Sequence, residues 1–289
     1  MFSEIRVRAY AKINFGLKVL PLREDGFHNL ESIFQTIGLY DELIVTWNEV
    51  KSCVVSCDSM QLPSKNTLTS AYQAFCEAVE VDVPGVRVNL IKGIPSGGGL
   101  GGGSADAAAL VRVLEKLCRV KLSVKQLDYV ASKTGSDVFF FMHCDNDGKG
   151  CALVSGRGEI IKEIKPRHDL FLLLVFPDVG SSTKEAYAQI DRAFAEGKEV
   201  KGPGFCELEG IYNSSVEKWT FINTFTPVVT ETIPVVTDAI CALKKVGCCY
   251  AEMSGSGSTV FGVFTSEQQA EFGCNLLGES WNCKLVQTV

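Results

Sequence analysis

Ten residues, Pro95-Ser96-Gly97-Gly98-Gly99-Leu100-Gly101-Gly102-Gly103-Ser104, form the part of this chain best suited to chemistry. Six of the seven positions from Gly97 to Gly103 are glycine. Glycine lets backbone N–H groups approach a ligand closely, but its ordering costs more entropy than a simple hinge would justify. The apolar stretch Val86 to Ile91 precedes the run, and the alanine- and leucine-rich stretch Ala105 to Arg119 follows it. Strand, glycine loop and helix in that order make a phosphate site. The loop N–H groups turn inward and the helix N-terminus adds partial positive charge. Ser104 is expected near that N-terminus, where its hydroxyl can cap the helix or meet a phosphate or its metal.

Two familiar phosphate loops do not fit. Gly97-x-Gly99-x-x-Gly102 satisfies the dinucleotide pattern, but that pattern follows the first strand of a βαβ unit and needs an acid about 20 residues on. Here the run is mid-chain, and Val120 to Val124 contains no acid. A P-loop needs Gly-Lys-Ser/Thr after the glycines, which is absent, as is the protein-kinase motif set.

The elements that must carry this loop are mixed. Val7, Ala9, Ala11, Ile13, Phe15, Leu17 and Val19 alternate with Arg8, Tyr10, Lys12, Asn14 and Lys18, a period of two that predicts a half-buried strand. Pro21 to Gly26 reads as a turn. Strands are expected at Glu42 to Trp47 and Cys53 to Ser56, giving an antiparallel start, then a helix over Asn66 to Val81. A helix capped by Ser123 should run to about Lys133, and Asp145 to Gly150 should be a loop. The second half offers strands at Asp169 to Phe176, Thr259 to Phe264 and Lys284 to Thr288. Helices are expected there at Thr183 to Ala195, Thr237 to Val246 and Glu267 to Leu277. That mixture indicates an α+β fold rather than a doubly wound parallel sheet.

Composition bounds the rest. With 289 residues, 46% hydrophobic and 21% charged, the chain can build a sizeable core. The net charge of -6 argues against nucleic acid as the main partner. No apolar run is long enough to span a bilayer, and Met1 to Ala11 lacks the core of a signal peptide, so a cytoplasmic location is expected. The 12 cysteines include no Cys-x-x-Cys pair, and they are expected as reduced, mostly packing thiols. No metal site built from side chains is expected.

The segment from Pro95 to Ala109 resembles the central motif of the GHMP kinase superfamily. Other segments agree in order: Ala11-Lys12-Ile13-Asn14 with Asp25-Gly26-Phe27-His28, then Gly135-Ser136-Asp137-Val138 and Gly156-Arg157-Gly158-Glu159. Ser182-Thr183-Lys184-Glu185-Ala186-Tyr187 and Met253-Ser254-Gly255-Ser256-Gly257-Ser258 complete the set. The likeness runs from about residue 9 to residue 265. The Asp-Gly-Phe-His segment is similar to the branch that phosphorylates the 2-hydroxyl of a cytidine diphosphate conjugate in non-mevalonate isoprenoid synthesis.

The resemblance implies a two-domain α+β GHMP kinase fold: an N-terminal domain like domain 2 of ribosomal protein S5, over 1–160, and a ferredoxin-like C-terminal domain, over 161–289. It places the active site in the cleft between them and makes ATP the co-substrate, with Mg²⁺. It also implies catalytic roles for Lys12 and Asp137, the ammonium favouring a developing alkoxide while the carboxylate orients the hydroxyl or takes its proton. His28 would read the cytosine edge, Phe27 and Tyr187 would sandwich the base, and Asn14 and Thr183 would add substrate contacts. On the ATP side stand Asn66, Lys92, Pro95, Ser96, Gly97, Gly98, Gly99, Leu100, Gly101, Gly102, Gly103 and Ser104. Asp106 is expected to cap the following helix. The chain departs from the pattern at Phe27 (commonly tyrosine), Ser136 (alanine), Phe139 (proline) and Thr224 (aspartate), and Cys144 to Lys149 is longer than typical. Another kinase of the superfamily, acting on homoserine, mevalonate or a sugar, and a non-catalytic nucleotide sensor of the same fold, are the alternatives.

Overall fold

The computed structural model describes residues 4–289, and the part of the N-terminal reading that falls on residues 1–3 lies outside them. Two compact units form from non-contiguous stretches: 4–11, 39–96 and 101–150 in the first, 12–38, 97–100 and 151–289 in the second. Two long paired strands, β1 (Ile5–Leu22) and β2 (His28–Asn48), contribute to both.

In the first unit, residues 42–48 of β2 pair antiparallel with β4 (Gly85–Ile91), and β3 (Cys53–Cys57) lies parallel to β4. The parallel β3 corrects the antiparallel start expected there. Between them runs α1 (Thr67–Ala78), capped reciprocally: Asn66 Oδ1 accepts from Thr69 N–H at 3.1 Å, and Thr69 Oγ1 accepts from Asn66 N–H at 2.9 Å. Helix α2 (Gly102–Cys118) follows the glycine loop and buries an almost unbroken run from Ala105 to Val111. It packs on α1 and on α4 (Ser136–Met142), while α3 (Val124–Thr134) packs on α1 and α4. Ser123 and Gln126 form the expected cap of α3.

In the second unit, residues 32–35 of β2 pair antiparallel with β5 (Cys151–Ser155), which pairs with β6 (Ile160–Glu163). A four-stranded antiparallel sheet has the order β10-β7-β9-β8, from β7 (Phe171–Phe176), β8 (Tyr250–Met253), β9 (Val260–Phe264) and β10 (Asn282–Gln287). Its helices are α5 (Thr183–Ala195), α6 (Phe205–Tyr212), α7 (Phe225–Thr232), α8 (Val235–Lys245) and α9 (Glu267–Leu277). Helices α8 and α9 pack against this sheet, and α5 packs on α7. Phe15 of β1 is fully buried among Tyr212, Trp219, Phe221 and Phe261, an aromatic cluster that anchors the strand carrying Lys12.

Strands β5, β6 and β8 and helices α4, α6 and α7 add to the elements expected from the sequence. Among the described residues, no single helix is long and apolar enough to cross a membrane.

Candidate active site

The glycine run lies open to solvent at Pro95, Ser96 and Gly97, then turns inward at Gly98 and Leu100. Gly99 explains why the run tolerates no side chain: its φ is +76°, and a Cβ there would sit 2.0 Å from the Ser254 carbonyl oxygen. The second small-residue loop, Met253 to Ser258, therefore packs directly on the first. Gly101 is the N-cap of α2 with φ of 71°, and Ala105 N–H donates to its carbonyl at 2.9 Å. The helix begins at Gly102, so Asp106 lies beyond the first turn and does not cap it, contrary to the expectation from sequence.

Lys12 is 2% exposed, although strand alternation assigns it to the polar face. Its Nζ donates to Asn14 Oδ1 at 2.9 Å and to the Gly99 carbonyl at 3.1 Å, and lies 4.8 Å from the centre of the Phe34 ring. Ser254 Oγ donates to the same Gly99 carbonyl at 3.0 Å. Because a trans peptide sets N–H opposite C=O, the Leu100 N–H points away from this pair of donors. The Lys12 main chain is tied in as well, donating to the Leu100 carbonyl at 2.9 Å. Asn14 Nδ2 faces Ser32 Oγ at 3.4 Å. The structure thus joins Lys12, Asn14 and the loop, and adds Ser32, Phe34 and Ser254. Asp137 is half-buried in the first turn of α4, where the helix N-terminus favours a carboxylate.

A second cluster forms around His28. Its Nδ1 lies 2.7 Å from the Leu20 carbonyl and its Nε2 lies 3.2 Å from Asp191 Oδ1. A carbonyl can only accept, so Nδ1 carries a proton. The imidazole stacks on Tyr187 with centroids 5.2 Å apart and planes 24° apart, and Tyr187 meets Phe225 edge-on at 5.0 Å. Phe27 is exposed, and the Arg157 guanidinium lies 3.5 Å from its ring centre. Thr183 opens α5, and its hydroxyl lies 2.8 Å from Ser256 Oγ. Sequence reasoning does not reach Asp191 or Phe225, and it meets Arg157 and Ser256 only inside longer motifs, with no role of their own. Nor does it reach Asn223, which is buried and donates through Nδ2 to the Met253 and Gly255 carbonyls, 2.8 Å each.

On the first unit, Lys92 bonds to Asp41 and lies 3.5 Å from Asp106. Burial alone would lower its pKa, but the two carboxylates outweigh burial and raise it. Asp106 is driven well above the usual carboxylate range, first by its own burial and then by neighbouring Asp41. Asp41 also accepts from Gly93 and Ile94 N–H at 2.7 and 2.8 Å, pinning the chain that leads into the glycine loop. Asn66 Nδ2 donates to the Pro63 carbonyl at 3.0 Å while its Oδ1 caps α1.

Comparison with known proteins adds the following. The family described as GHMP kinases N terminal domain matches residues 66–145, and GHMP kinases C terminal matches residues 208–282. A 4-diphosphocytidyl-2-C-methyl-D-erythritol kinase from Treponema pallidum (strain Nichols) is 38% identical over 286 residues, 96% of each chain. One from Prosthecochloris aestuarii (strain DSM 271 / SK 413) is 35% identical, covering 98% of this chain and 97% of that relative. A crystal structure of 4-(cytidine 5'-diphospho)-2C-methyl-D-erythritol kinase superposes with a TM-score of 0.72 at 27% identity, covering 98% of this chain and 99% of that one. Homoserine kinase from Cytophaga hutchinsonii shares the fold, with a TM-score of 0.69 at 18% identity, covering 100% of this chain and 96% of that one.

Proposed function

The chain belongs to the GHMP kinases, in the family of 4-diphosphocytidyl-2-C-methyl-D-erythritol kinases, and from that premise we propose that it transfers the terminal phosphoryl group of ATP to the 2-hydroxyl of 4-diphosphocytidyl-2-C-methyl-D-erythritol. The observation that supports this reading best is the His28 cluster: a ring fixed at one nitrogen by the Leu20 carbonyl and stacked on Tyr187. With Nδ1 committed, Nε2 would turn to the cytosine edge in place of Asp191. Phe27 and Tyr187 would flank the base, and Thr183 and Asn14 would contact the remainder of the acceptor.

Phosphoryl transfer asks mainly for positioning and charge neutralisation. Lys12, oriented by Asn14 and the Gly99 carbonyl, would stabilise negative charge growing on the acceptor oxygen. Asp137 would orient the hydroxyl or take its proton. The N–H groups from Gly97 to Ser104 would hold the ATP phosphates, with Pro95 and Ser96 at the entrance. Asn66 and Lys92 would shape the adenine side through α1 and β4, which they brace.

Mg²⁺ takes most of its ligands from phosphate oxygens and water, so few protein ligands are needed. The Ser104 hydroxyl, in the first turn of α2, makes no hydrogen bond to the described residues, and this fits a contact to the phosphates or their metal. Bound there, the ion would neutralise charge on the phosphates. The division into domains 1–160 and 161–289, and a cytoplasmic location, belong to the same proposal.

Replacing Asp137 by alanine tests it. Turnover should be abolished while cytidine diphosphate, measured by calorimetry, binds as in the wild type; near-normal turnover would defeat the mechanism. Cytidine diphosphate should also compete with the acceptor, which it would not do in a kinase for homoserine, mevalonate or a sugar.

A further inference from the structure

The first unit contains a cavity of about 370 Å³, at the low end of the volumes that hold small molecules. Arg6, Arg8, Arg112, Lys116 and Lys149 line it, with Asp147 as its one carboxylate, in a chain whose net charge is -6. None of its lining residues belongs to the site proposed for phosphoryl transfer.

Whether those charges are available depends on what holds them. Arg6 is paired with Glu4 at 2.7 Å and Glu42 at 3.4 Å. Among the described residues, Arg8, Arg112, Lys116 and Lys149 have no ion pair. Arg8 lies 4.5 Å over the Tyr40 ring and Lys149 lies 5.3 Å over Tyr10, contacts that orient a cation without cancelling it. Arg112 donates to the Phe141 carbonyl, and a Cβ on Gly148 would lie 3.5 Å from its Nη1, so its guanidinium is held between α2 and the loop after α4. The Asp145 carboxylate beside it is engaged by the main chain, accepting from Asp147 and Lys149 N–H at 2.9 and 2.8 Å. That loop is the longer-than-typical Cys144 to Lys149 stretch, and it supplies Lys149.

Four cations without ion pairs around one concave space suit a compact ligand bearing more than two negative charges. The planar fork of arginine matches phosphate oxygens two at a time. We propose that this cavity is a second ligand site, for a small anion of the diphosphate class, separate from the site that binds ATP.

The test is equilibrium dialysis of the full chain with radiolabelled inorganic diphosphate, in the presence of a saturating non-hydrolysable ATP analogue. One diphosphate should remain bound per chain. Arg8→Ser/Lys116→Ser/Lys149→Ser should weaken that binding at least roughly tenfold, through the loss of three phosphate-facing cations, with KM for ATP unchanged. Wild-type protein that binds none once the analogue saturates, or a triple variant that binds as well as wild type, would overturn the proposal. Asp147→Asn, an exposed change that leaves the cations in place, should tighten binding, and weaker binding counts against the site. Equal displacement by inorganic sulfate would show recognition of any small anion and defeat the diphosphate assignment.

Discussion

Two lysines, one half-buried and one buried, show how differently one side chain can be used. Lys92, in the first unit, is shared between two carboxylates, Asp41 and Asp106, and lies just beyond the end of β4. Lys12, in the second, donates to Asn14 Oδ1 and to the Gly99 carbonyl, and lies over the Phe34 ring. Asp41 and Asp106 tie Lys92 to the chain that leads into the glycine loop, whereas Asn14 and Gly99 set Lys12 against the loop itself. The first arrangement braces an element; under the proposed mechanism the second sets an ammonium beside the reacting oxygen.

The largest expected effect separates them by chemistry. Lys12→Met should lower kcat by about 10²–10³-fold, the size of losing one well-aimed donor to developing charge. Cytidine diphosphate affinity and melting temperature should stay close to wild type. A Lys12→Met enzyme that keeps its kcat would erase the contrast.

Lys92→Met should do the reverse. Removing one member of a buried pair strands the carboxylates, at a cost of about 3 kcal/mol, or roughly 6–12 °C in melting temperature for a chain of this size. The pH dependence has a definite sign. The raised pKa of Lys92 means its stabilisation is fully present below the ordinary lysine value near about 10.4 and is lost as pH climbs through the higher folded value. The melting-temperature gap between wild type and variant should therefore close only in strong alkali. Thermal scans from neutral to strongly alkaline pH would check this, and a gap that closes already between pH 7 and the ordinary lysine value would contradict the bracing role.

Next in size is a test of whether acceptor recognition is separable from Lys12. Tyr187→Ala removes a stacking face, worth about 1–3 kcal/mol per base, so KM for the cytidylated acceptor should rise roughly 5–150-fold with kcat largely kept. Steady-state kinetics would decide, and an equal fall in kcat would mean that the platform also aligns the hydroxyl.

Why some of this is legible in the sequence, and some not, follows from burial. The stretch from Glu42 to Trp47 alternates in exposure and reads as a strand, but β2 begins fourteen residues earlier, at His28, and Ser32 to Ile37 is buried on both faces. No period of two survives there. The same two-sided burial hides Lys12 and Asn14, which alternation places on the wet face. Asp41 stands beside Glu42 in the otherwise uncharged stretch from Ile37 to Leu43, yet it is fully buried. Its partners lie 51 and 65 positions away, at Lys92 and Asp106, beyond the reach of any local pattern. The glycine loop is legible because close backbone approach restricts residue type locally. Asp191 is not, because its contact with His28 depends on long-range packing.

The smallest effect asks which region yields when each lysine is lost. Burial pushes the Cys53 thiol in the first unit up to about 12, and does the same to Cys151 in the second. At pH 8 both are almost wholly protonated, so alkylation proceeds mainly through local opening. Cys53 is paired in register with Val86 of β4, the strand that Lys92 closes. Lys92→Met should therefore speed iodoacetamide labelling of Cys53 several-fold, read by peptide mass spectrometry, and leave Cys151 unchanged. Lys12→Met should accelerate neither. Were Cys151 to open in Lys12→Met as readily as Cys53 opens in Lys92→Met, Lys12 would be as much a brace as Lys92. Its loss of turnover would then trace to a loosened strand rather than to a missing charge.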